Sequence, residues 1–461
     1  MAGAGPSGSI CAYYLAKAGN KVILIDSEDF PREKICGGFV SPTGINELLN
    51  IGIGDLTDFQ QANVITCAAV YIDGQKLITG DIPNLDGMVN FGRVFPRVLL
   101  DNLVLEAARK QGVNVITRCK LEHYTVYDNH VAIDCKQEDK EQNFKVKLLV
   151  GADGSNSTVA RIMNGKRPDP QHRIVAVRAY FENVNLVPNQ AELFFTSKSF
   201  PGYYWFFPMG PTTANVGVGM SLENFPKTET NLKELLNDIL ENDPSLKANI
   251  GTGTMVGKVE GWPLSIYNPD ATIVKDRLLL TGDAAGLINS INGEGIQYAL
   301  QSGRWAAESI ISCFAANDLS GSALKIFDQK VRREIGFDMS LSNLVLQVIR
   351  NRNLNPLWMK VLKIFIAQAK RDERYTTICG GILAGMVPTN KAVTVYFIRK
   401  SILQALTTAF YGEGGIFRFI KQFTVLGSIA VWQVLLQRKE YWKWFKGILK
   451  GAWLSLRLRN Q

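Results

Sequence analysis

A glycine-rich turn at the start of the chain limits most strongly the folds open to it. Gly3, Gly5 and Gly8 form a Gly-x-Gly-x-x-Gly pattern that opens into an apolar segment with helical spacing. The first glycine permits a tight turn, the second lets the backbone approach a pyrophosphate, and the third lets helix and strand pack closely. A buried strand is predicted next and ends at Asp26, where a carboxylate can accept a ribose hydroxyl. This order predicts a doubly wound dinucleotide-binding domain.

The pattern lacks one element, because only Met1 and Ala2 precede Gly3. In a doubly wound sheet a central strand comes directly before this turn, and both of its neighbours need it to pair their backbone groups. We therefore expect a strand of about six to ten residues upstream of Met1, and good cofactor binding only when that strand is present.

A second glycine-rich turn follows another buried strand late in the chain. Residues 278–280 predict that strand, Asp283 comes soon after it, and a helix is predicted to begin near Gly295 and Ile296. The aspartate suits a ribityl hydroxyl, and the helix start can face a phosphate or a flavin ring. Two such turns so far apart in sequence imply one long ligand. FAD fits this requirement better than NAD does.

Composition excludes several classes of protein. The chain has 461 residues, of which 46% are hydrophobic, so it is neither a disordered protein nor a disulfide-stapled miniature. Its seven cysteines include no Cys-x-x-Cys pair, and its three histidines are scattered. This spacing favours neither disulfides nor a metal site and indicates a reducing compartment. No basic region followed by an apolar run opens the chain, so we expect a cytoplasmic protein.

The hydrophobic pattern divides the chain into three parts. Residues 1–65, 93–165 and 272–318 predict the discontinuous FAD-binding domain, an α/β unit whose first strand is short of residues. Residues 66–92 and 166–271 alternate in hydropathy and predict an inserted antiparallel sheet that forms a substrate domain. Residues 319–461 predict a helical C-terminal region that ends in a basic, aromatic tail.

Several motifs together resemble a known superfamily. Gly3-Ala4-Gly5-Pro6-Ser7-Gly8, Gly151-Ala152-Asp153-Gly154 and Gly282-Asp283 are similar to the three signatures of the single-component flavoproteins that include p-hydroxybenzoate hydroxylase. Within that superfamily the chain resembles the geranylgeranyl reductase family more closely. The family's Pro-Arg-x-Lys-x-Cys-Gly-Gly loop corresponds to residues 30–38, and its Tyr-x-Trp-x-Phe-Pro strand corresponds to residues 201–208.

The resemblance implies FAD as the cofactor and a substrate channel beside it. It implies flavin contacts from Gly3, Gly5, Ser7, Gly8, Asp26, Arg32, Cys36, Gly37, Arg97, Asp283, Gly295 and Ile296. Cys36, in its glycine-flanked loop, is a candidate catalytic residue, together with Tyr203 and Trp205, which share one face of a predicted strand. The alternatives are an inert, packed Cys36 and aromatic side chains that only fill a core.

The positive charge of the chain is concentrated at its end. Residues 391–461 hold twelve Lys or Arg and two Glu, whereas the first 390 residues carry 39 basic and 40 acidic side chains. Lysines between residues 439 and 450 share one predicted helix face, and aromatic side chains lie largely on the other. This arrangement suits an anionic membrane surface, and a helix docked on the body is the alternative. The nearly neutral body argues against a nucleic-acid partner.

We therefore predict an FAD-dependent oxidoreductase that reduces carbon–carbon double bonds of a geranylgeranyl or other isoprenoid chain. No second Gly-x-Gly-x-x-Gly lies between a predicted strand and helix, so NAD(P)H or a ferredoxin-type protein is expected only as a transient donor. A monooxygenase that acts on a lipophilic substrate and a non-catalytic, membrane-associated flavin-binding protein are the alternatives. We expect the protein at the inner face of a membrane, with its oligomeric state left open.

Overall fold

The computed structural model describes residues 1–138, 140–166, 169–223, 231–411, 434 and 436–459 of the chain. Part of the basic tail, including Trp432, lies outside the described residues. Strands and helices alternate through most of the first 315 residues, and the described residues that follow are mainly helical.

The strands in the described part of the chain build five hydrogen-bonded groups. They are β1 Ile23–Ile25, β2 Phe39–Val40, β3 Asn63–Ile65, β4 Cys67–Ile72, β5 Gln75–Asp81, β6 Gly92–Val94, β7 Asn114–Ile116, β8 Cys119–Val126, β9 Val131–Gln137, β10 Lys140–Val146, β11 Leu149–Gly151, β12 Arg173–Glu182, β13 Gln190–Phe195, β14 Tyr203–Pro208, β15 Ala214–Ser221, β16 Thr254–Ser265, β17 Val274–Lys275 and β18 Leu278–Leu280. The helices are α1 Pro6–Lys17, α2 Pro42–Asn50, α3 Thr57–Gln61, α4 Arg97–Lys110, α5 Thr158–Asn164, α6 Leu232–Asn242, α7 Pro244–Ile250, α8 Ile296–Ala315, α9 Gly321–Val331, α10 Phe337–Ile349, α11 Asn355–Ala369, α12 Glu373–Leu383, α13 Val395–Tyr411 and α14 Arg438–Arg459.

The first sheet sets the glycine-rich turn at the end of a parallel layer. β1 pairs with β7 and β11 pairs with β18, both in parallel. Met1 to Gly3 lie between the two pairs, and Ala2 bridges Ile25 on one side and Gly151 on the other. These three residues join the two halves through backbone hydrogen bonds of 2.7–2.9 Å to both neighbours. Met1 to Gly3 therefore occupy the position of the central strand where these hydrogen bonds form. A longer strand upstream stays a prediction.

The region from His123 to Cys135, which its alternation marks as one strand, contributes to two strands. β8, β9 and β10 form an antiparallel sheet, and the chain reverses between β8 and β9. Tyr127 N–H donates to His130 O at 2.8 Å across that reversal. The signal available in the sequence was the polar pair Asp128-Asn129, whose residue types favour turns.

The second sheet has seven strands in the order β16-β12-β15-β14-β13-β4-β5. It is antiparallel except where β13 and β4 run in parallel. Tyr204 and Phe206 of β14 belong to the core that this sheet shares with α6 and α7. Tyr203, Trp205 and Phe207 face the other way, towards an internal cavity. The alternation along β14 thus separates a packing face from a cavity face.

The helical region closes the far side of that cavity. α10, α11 and α12 line it, and α13 packs against α11. α14 docks on α10, where Trp444 Nε1 donates to Gln347 O at 2.8 Å. The docked helix that was the alternative for the tail is therefore present, and Trp442 and Trp453 are exposed on its other side. Within the described ranges, no helix combines the length and the apolar character that a membrane crossing needs.

Close packing of α1 against α8 fixes the helix that follows the glycine-rich turn. A Cβ on Gly303 of α8 would lie 2.4 Å from Ser7 O and 2.5 Å from a methyl carbon of Ile10. Contacts this short leave no room for a side chain, so Gly303 allows the two helix backbones to approach each other. Gly380 of α12 provides a contrast, because the nearest atom to its Cβ position is 3.8 Å away.

We expect Gly303→Ala to lower the free energy of unfolding by about 2 kcal/mol or more, because the methyl group forces α1 and α8 apart. Gly380→Ala is the matched control, since it makes the same change inside a helix that has room for the methyl group. It should leave stability unchanged or raise it by up to about 1 kcal/mol through helix propensity. Urea unfolding followed by far-ultraviolet circular dichroism measures both. Equal effects of the two substitutions would contradict the packing argument.

Candidate functional site

A cavity of about 1490 Å³ runs from the glycine-rich turn, past the cavity face of β14, to α10, α11 and α12. One small ligand typically occupies a pocket of roughly 300–1,000 Å³. The cavity therefore has room for two ligands at once. Its wall changes along its length, from charged and glycine-rich segments at one end to aromatic and aliphatic side chains at the other.

The glycine-rich turn is a close backbone crossing at one end of the cavity. Gly3 has a φ of +101°, and a Cβ there would lie 2.3 Å from Ala152 O. A Cβ on Gly8 would lie 1.9 Å from Gly3 O. Around Gly5 there is open space, and the nearest atom to its Cβ position is Arg32 Nη2 at 3.7 Å. Because α1 begins without a side-chain cap, the amides of its first turn are available to an anion.

Asp26 stabilises this turn and also forms part of the cavity wall. Its Oδ2 accepts the Ala4 N–H at 2.7 Å, and its Oδ1 accepts the Glu28 N–H at 2.9 Å. The side chain is buried. Since each carboxylate oxygen has a second lone pair, Asp26 can accept a further hydrogen bond from a ribose hydroxyl.

Two arginines share one buried carboxylate beside the turn. Arg97 binds Asp101 through two hydrogen bonds of 2.7 Å, and Arg32 Nη2 lies 3.2 Å from the same carboxylate. Asp101 is fully buried. The Nε of Arg32 is buried and has no hydrogen-bond partner among the described residues. Because a buried guanidinium N–H needs an acceptor, this corner of the cavity fits a phosphate oxygen.

The Cys36 loop is tied to the aromatic strand through Asn215. Trp205 Nε1 donates to Asn215 Oδ1 at 2.9 Å, and Asn215 Nδ2 donates to Cys36 O at 2.8 Å. A Cβ on Gly37 would lie 3.5 Å from Trp205 Nε1, so the loop runs directly against the indole. Cys36 is half-buried on the cavity wall and interacts electrostatically with Arg97. The loop thus lies between the corner of the cavity that Arg32 and Arg97 form and the aromatic rings on the cavity face of β14.

The second glycine-rich turn meets the first, because a Cβ on Gly282 would lie 2.6 Å from Ser7 Oγ. Asp283 Oδ2 accepts the Ser155 hydroxyl at 3.1 Å, and Asp283 lines the cavity. α8 begins at Ile296 without a side-chain cap, and a Cβ on Gly295 would lie 3.6 Å from Asp283 Oδ1. Tyr203 Oη donates to Asn292 O at 2.6 Å, so the aromatic strand supports this turn as well.

Two further ionisable side chains belong to the cavity wall, and sequence reasoning did not single them out. Lys34 lies over the Trp262 ring, 5.0 Å from its centroid, and burial lowers the pKa of its amine. Glu294 is buried within the second turn, and burial raises the pKa of its carboxyl to about 8. Among the described residues, the Glu294 carboxylate has no hydrogen bond or ion pair. A charged residue between two glycines of a predicted site turn was the signal available in the sequence.

Comparison with known proteins agrees with a flavin site. Residues 1–314 match the family described as "FAD binding domain". The chain is 27% identical to Conditioned medium factor receptor 1 of Dictyostelium discoideum over 89% of this chain and 80% of that protein. It is 28% identical to Menaquinone reductase of Mycolicibacterium smegmatis over 68% and 76% of the two chains. It is 27% identical to Digeranylgeranylglycerophospholipid reductase of Methanococcus vannielii over 77% and 88%.

Solved structures share the architecture. A geranylgeranyl bacteriochlorophyll reductase-like protein from Thermoplasma acidophilum has a TM-score of 0.64 at 25% identity and covers 87% of this chain and 94% of its own. The flavin-dependent brominase Bmp2 has a TM-score of 0.68 at 19% identity and covers 88% and 97%, which shows a common fold alone.

The two uncapped helix starts, the unpartnered arginine N–H and the two aspartates are the groups that a long dinucleotide requires. They fit FAD, and the family match covers the residues that form them. The chain therefore belongs to the FAD binding domain family, as an FAD-dependent oxidoreductase with geranylgeranyl reductase-like relatives in the p-hydroxybenzoate hydroxylase-like superfamily.

Proposed function

We propose that this chain uses FAD to reduce carbon–carbon double bonds of a geranylgeranyl or other isoprenoid chain. The observation that carries the proposal is the continuous cavity, in which a flavin-binding end leads past aromatic rings to a long apolar end. A hydrocarbon chain buries its surface favourably in such a wall, at about 25 cal/mol per Å². Relatives named as reductases of prenyl lipids and of menaquinone support the same class of substrate.

In this proposal, the residues around the two turns hold FAD. The first turn and the start of α1 bind the pyrophosphate, and Asp26 binds the ribose. Arg32 and Arg97 provide positive charge, the Cys36-Gly37 loop lies along the flavin, and Asp283 binds the ribityl chain. Gly295 and Ile296 present backbone amides to the flavin ring. When bound and reduced, FAD supplies a hydride. NAD(P)H or a ferredoxin-type protein is the proposed transient source of the electrons.

The aromatic face prepares the alkene for reaction. An isolated alkene is a poor electrophile, so positive charge must build up on one carbon as a proton is added to the other. The rings of Tyr203 and Trp205, 6.4 Å apart between centroids, present their π-systems to the cavity and can stabilise that charge. The Asn215 link fixes the indole against the Cys36 loop.

Glu294 is the proposed proton donor. It lies within the turn that Tyr203 supports and lines the same cavity. Burial keeps its carboxyl protonated at neutral pH, the state in which it can donate. Tyr203 is less suited to donation, because its hydroxyl proton is already shared with Asn292 O.

We also propose that residues 391–461 bring the enzyme to a membrane surface from the cytoplasmic side. The exposed side of α14 supports this proposal, because Trp442, Phe445 and Leu449 project there beside lysines. A membrane-bound position would place the enzyme where a prenyl lipid is dissolved.

Incubation of the reduced enzyme with a geranylgeranyl lipid tests the reaction type. We expect the product to gain two hydrogens for each double bond reduced, with oxidation of one equivalent of reduced FAD to FAD per bond, as mass spectrometry and flavin absorbance can show. Incorporated oxygen under air would identify a monooxygenase instead. Bound flavin with no product would identify a flavin-binding protein without catalysis.

Replacement of Trp205 tests the aromatic face. We expect Trp205→Ala to slow single-turnover oxidation of reduced flavin by the lipid about tenfold or more, since a desolvated cation–π contact contributes about 2 kcal/mol. Tyr204→Phe on the same strand is the control, because Tyr204 packs on the opposite face and should leave the rate within about twofold. Flavin content measured by absorbance should be the same in both variants. An unchanged rate in Trp205→Ala would refute the role of the ring.

The pH dependence tests Glu294. Its carboxyl must be protonated to donate, so the single-turnover rate should be highest below pH 8 and fall above it, and Glu294→Gln should be slow and lack this inflection.

The pH dependence of stability gives an independent measurement of the Glu294 pKa. The pKa of Glu294 is about 8 in the folded protein against 4.5 in the unfolded chain. The contribution of its neutral carboxyl to the free energy of unfolding is therefore full below pH 4.5 and is lost as the pH rises to 8. The difference in unfolding free energy between the wild type and Glu294→Gln should change with pH across this window. A difference that is constant with pH would contradict the burial of Glu294.

A further inference from the structure

α13 carries an apolar stripe on its exposed side. Ile398, Ile402, Leu406 and Phe410 follow one another at helical spacing, and each is between 46% and 55% exposed. Phe397, on the opposite side, is only 3% exposed and packs with side chains of α11 and α12. A helix at a water-exposed surface normally turns its apolar side inward and its polar side outward. α13 is apolar on both sides, so a further apolar environment fits its outer side.

The inner side of the same helix closes the far end of the cavity. Phe397 lines the cavity together with Phe365 of α11, Cys379 of α12 and the segment just before α13. One helix therefore has the cavity on one side and the exposed stripe on the other. The distance between the two environments is the width of a single helix, about 10 Å.

Charge around the stripe indicates which apolar environment fits. Residues 355–411 carry eight Lys or Arg and two acidic side chains, and most of the basic ones are exposed. Asp372 is paired with Lys400 at 2.7 Å, so one acidic and one basic side chain neutralise each other and the basic excess remains. Arg399 is exposed between the stripe residues, where its long side chain can reach a phosphate. Anionic lipid headgroups complement this surface, whereas a second copy of the chain would bring like charges together.

We propose that α13 rests on an anionic lipid bilayer, with its stripe at the boundary between headgroups and acyl chains, and that a lipid substrate enters the cavity beside this helix. Both parts rest on the proposed function: the first names the segment within residues 391–461 that meets the membrane, and the second takes the substrate to be a prenyl lipid. α13 lies on the bilayer and does not cross it, which agrees with its 17 residues and its two cations at positions 399 and 400.

Sedimentation with lipid vesicles tests the docking. We expect the wild-type chain to bind phosphatidylcholine vesicles that contain phosphatidylglycerol about tenfold more tightly than pure phosphatidylcholine vesicles. Ile402→Glu should weaken binding to the anionic vesicles about tenfold or more, because it removes apolar burial and adds a negative charge. The matched control is Thr408→Glu, which adds the same charge at an exposed position outside the stripe and should cost at most about fivefold.

Equal losses in both variants, with binding by the wild type, would overturn the docking of α13 and leave the membrane role of residues 391–461 standing. No binding by the wild type would overturn both. Analytical ultracentrifugation tests whether a second copy of the chain covers the stripe instead. A dimer that Ile402→Glu dissociates, without vesicle binding, would make this surface an interface between copies of the chain. Far-ultraviolet circular dichroism and flavin content should show that Ile402→Glu is folded, since the side chain is exposed in the monomer.

Two substrates separate this inference from the proposed function. Ile402→Glu should slow turnover of a vesicle-embedded geranylgeranyl lipid about tenfold and leave turnover of a short, water-soluble prenyl alcohol within about twofold. Equal slowing on both substrates would overturn access beside α13. If the wild type binds anionic vesicles but reduces neither substrate, the reductase proposal fails and the docking stands.

Discussion

The absence of side chains at Gly3 and Gly8 is the constraint on which the rest of the structure depends. It lets the chain pass beneath Ala152 and turn into α1 within a space that a single methyl group would fill. α1 is then held against α8 through Gly303, and α8 begins at the second turn of the cavity. The distance between the two turns is thus fixed by backbone contacts, which deform little. A ligand that must touch both turns meets a preformed site.

The second sheet is joined to the site loops by two links, which together comprise three hydrogen bonds. Trp205 reaches the Cys36 loop through Asn215, and Tyr203 reaches the second turn through Asn292. These links start from one face of one strand and end on the two loops that border the flavin end of the cavity. The other face of that strand is anchored by Tyr204 and Phe206 in the core with α6 and α7. The rings are therefore held from behind and from both sides, which suits the role proposed for them in stabilising developing charge.

Sequence reasoning succeeded where the structure is local. The first turn, the helix after it and the strand ending at Asp26 follow from spacing alone, because glycine and hydropathy fix such short units. It failed where distant segments decide the environment. The burial of Glu294 depends on segments far from it in sequence, and the exposed side of α13 depends on how α11 and α12 cover the other side. Both sides of α13 are apolar, so hydropathy could not say which one is buried. The lysines near residue 445 indicated a surface role for α14, because charge can be recognised from the residue types. α13 was overlooked because the exposure of an apolar side chain cannot be recognised in this way.

One property of the cavity, the burial of its wall from water, bears both on the proposed hydrocarbon substrate and on the acid–base behaviour of its side chains. Removal of water favours an apolar chain and disfavours charge of either sign. The same burial raises the pKa of Glu294 and lowers the pKa of Lys34, so both side chains are driven towards their neutral forms. A wall that suits the proposed prenyl chain therefore also keeps a carboxyl protonated beside it without a dedicated partner. The acid that the proposed reaction needs follows from the hydrophobicity that its substrate needs, which is why a carboxyl with no ion pair can persist in this turn.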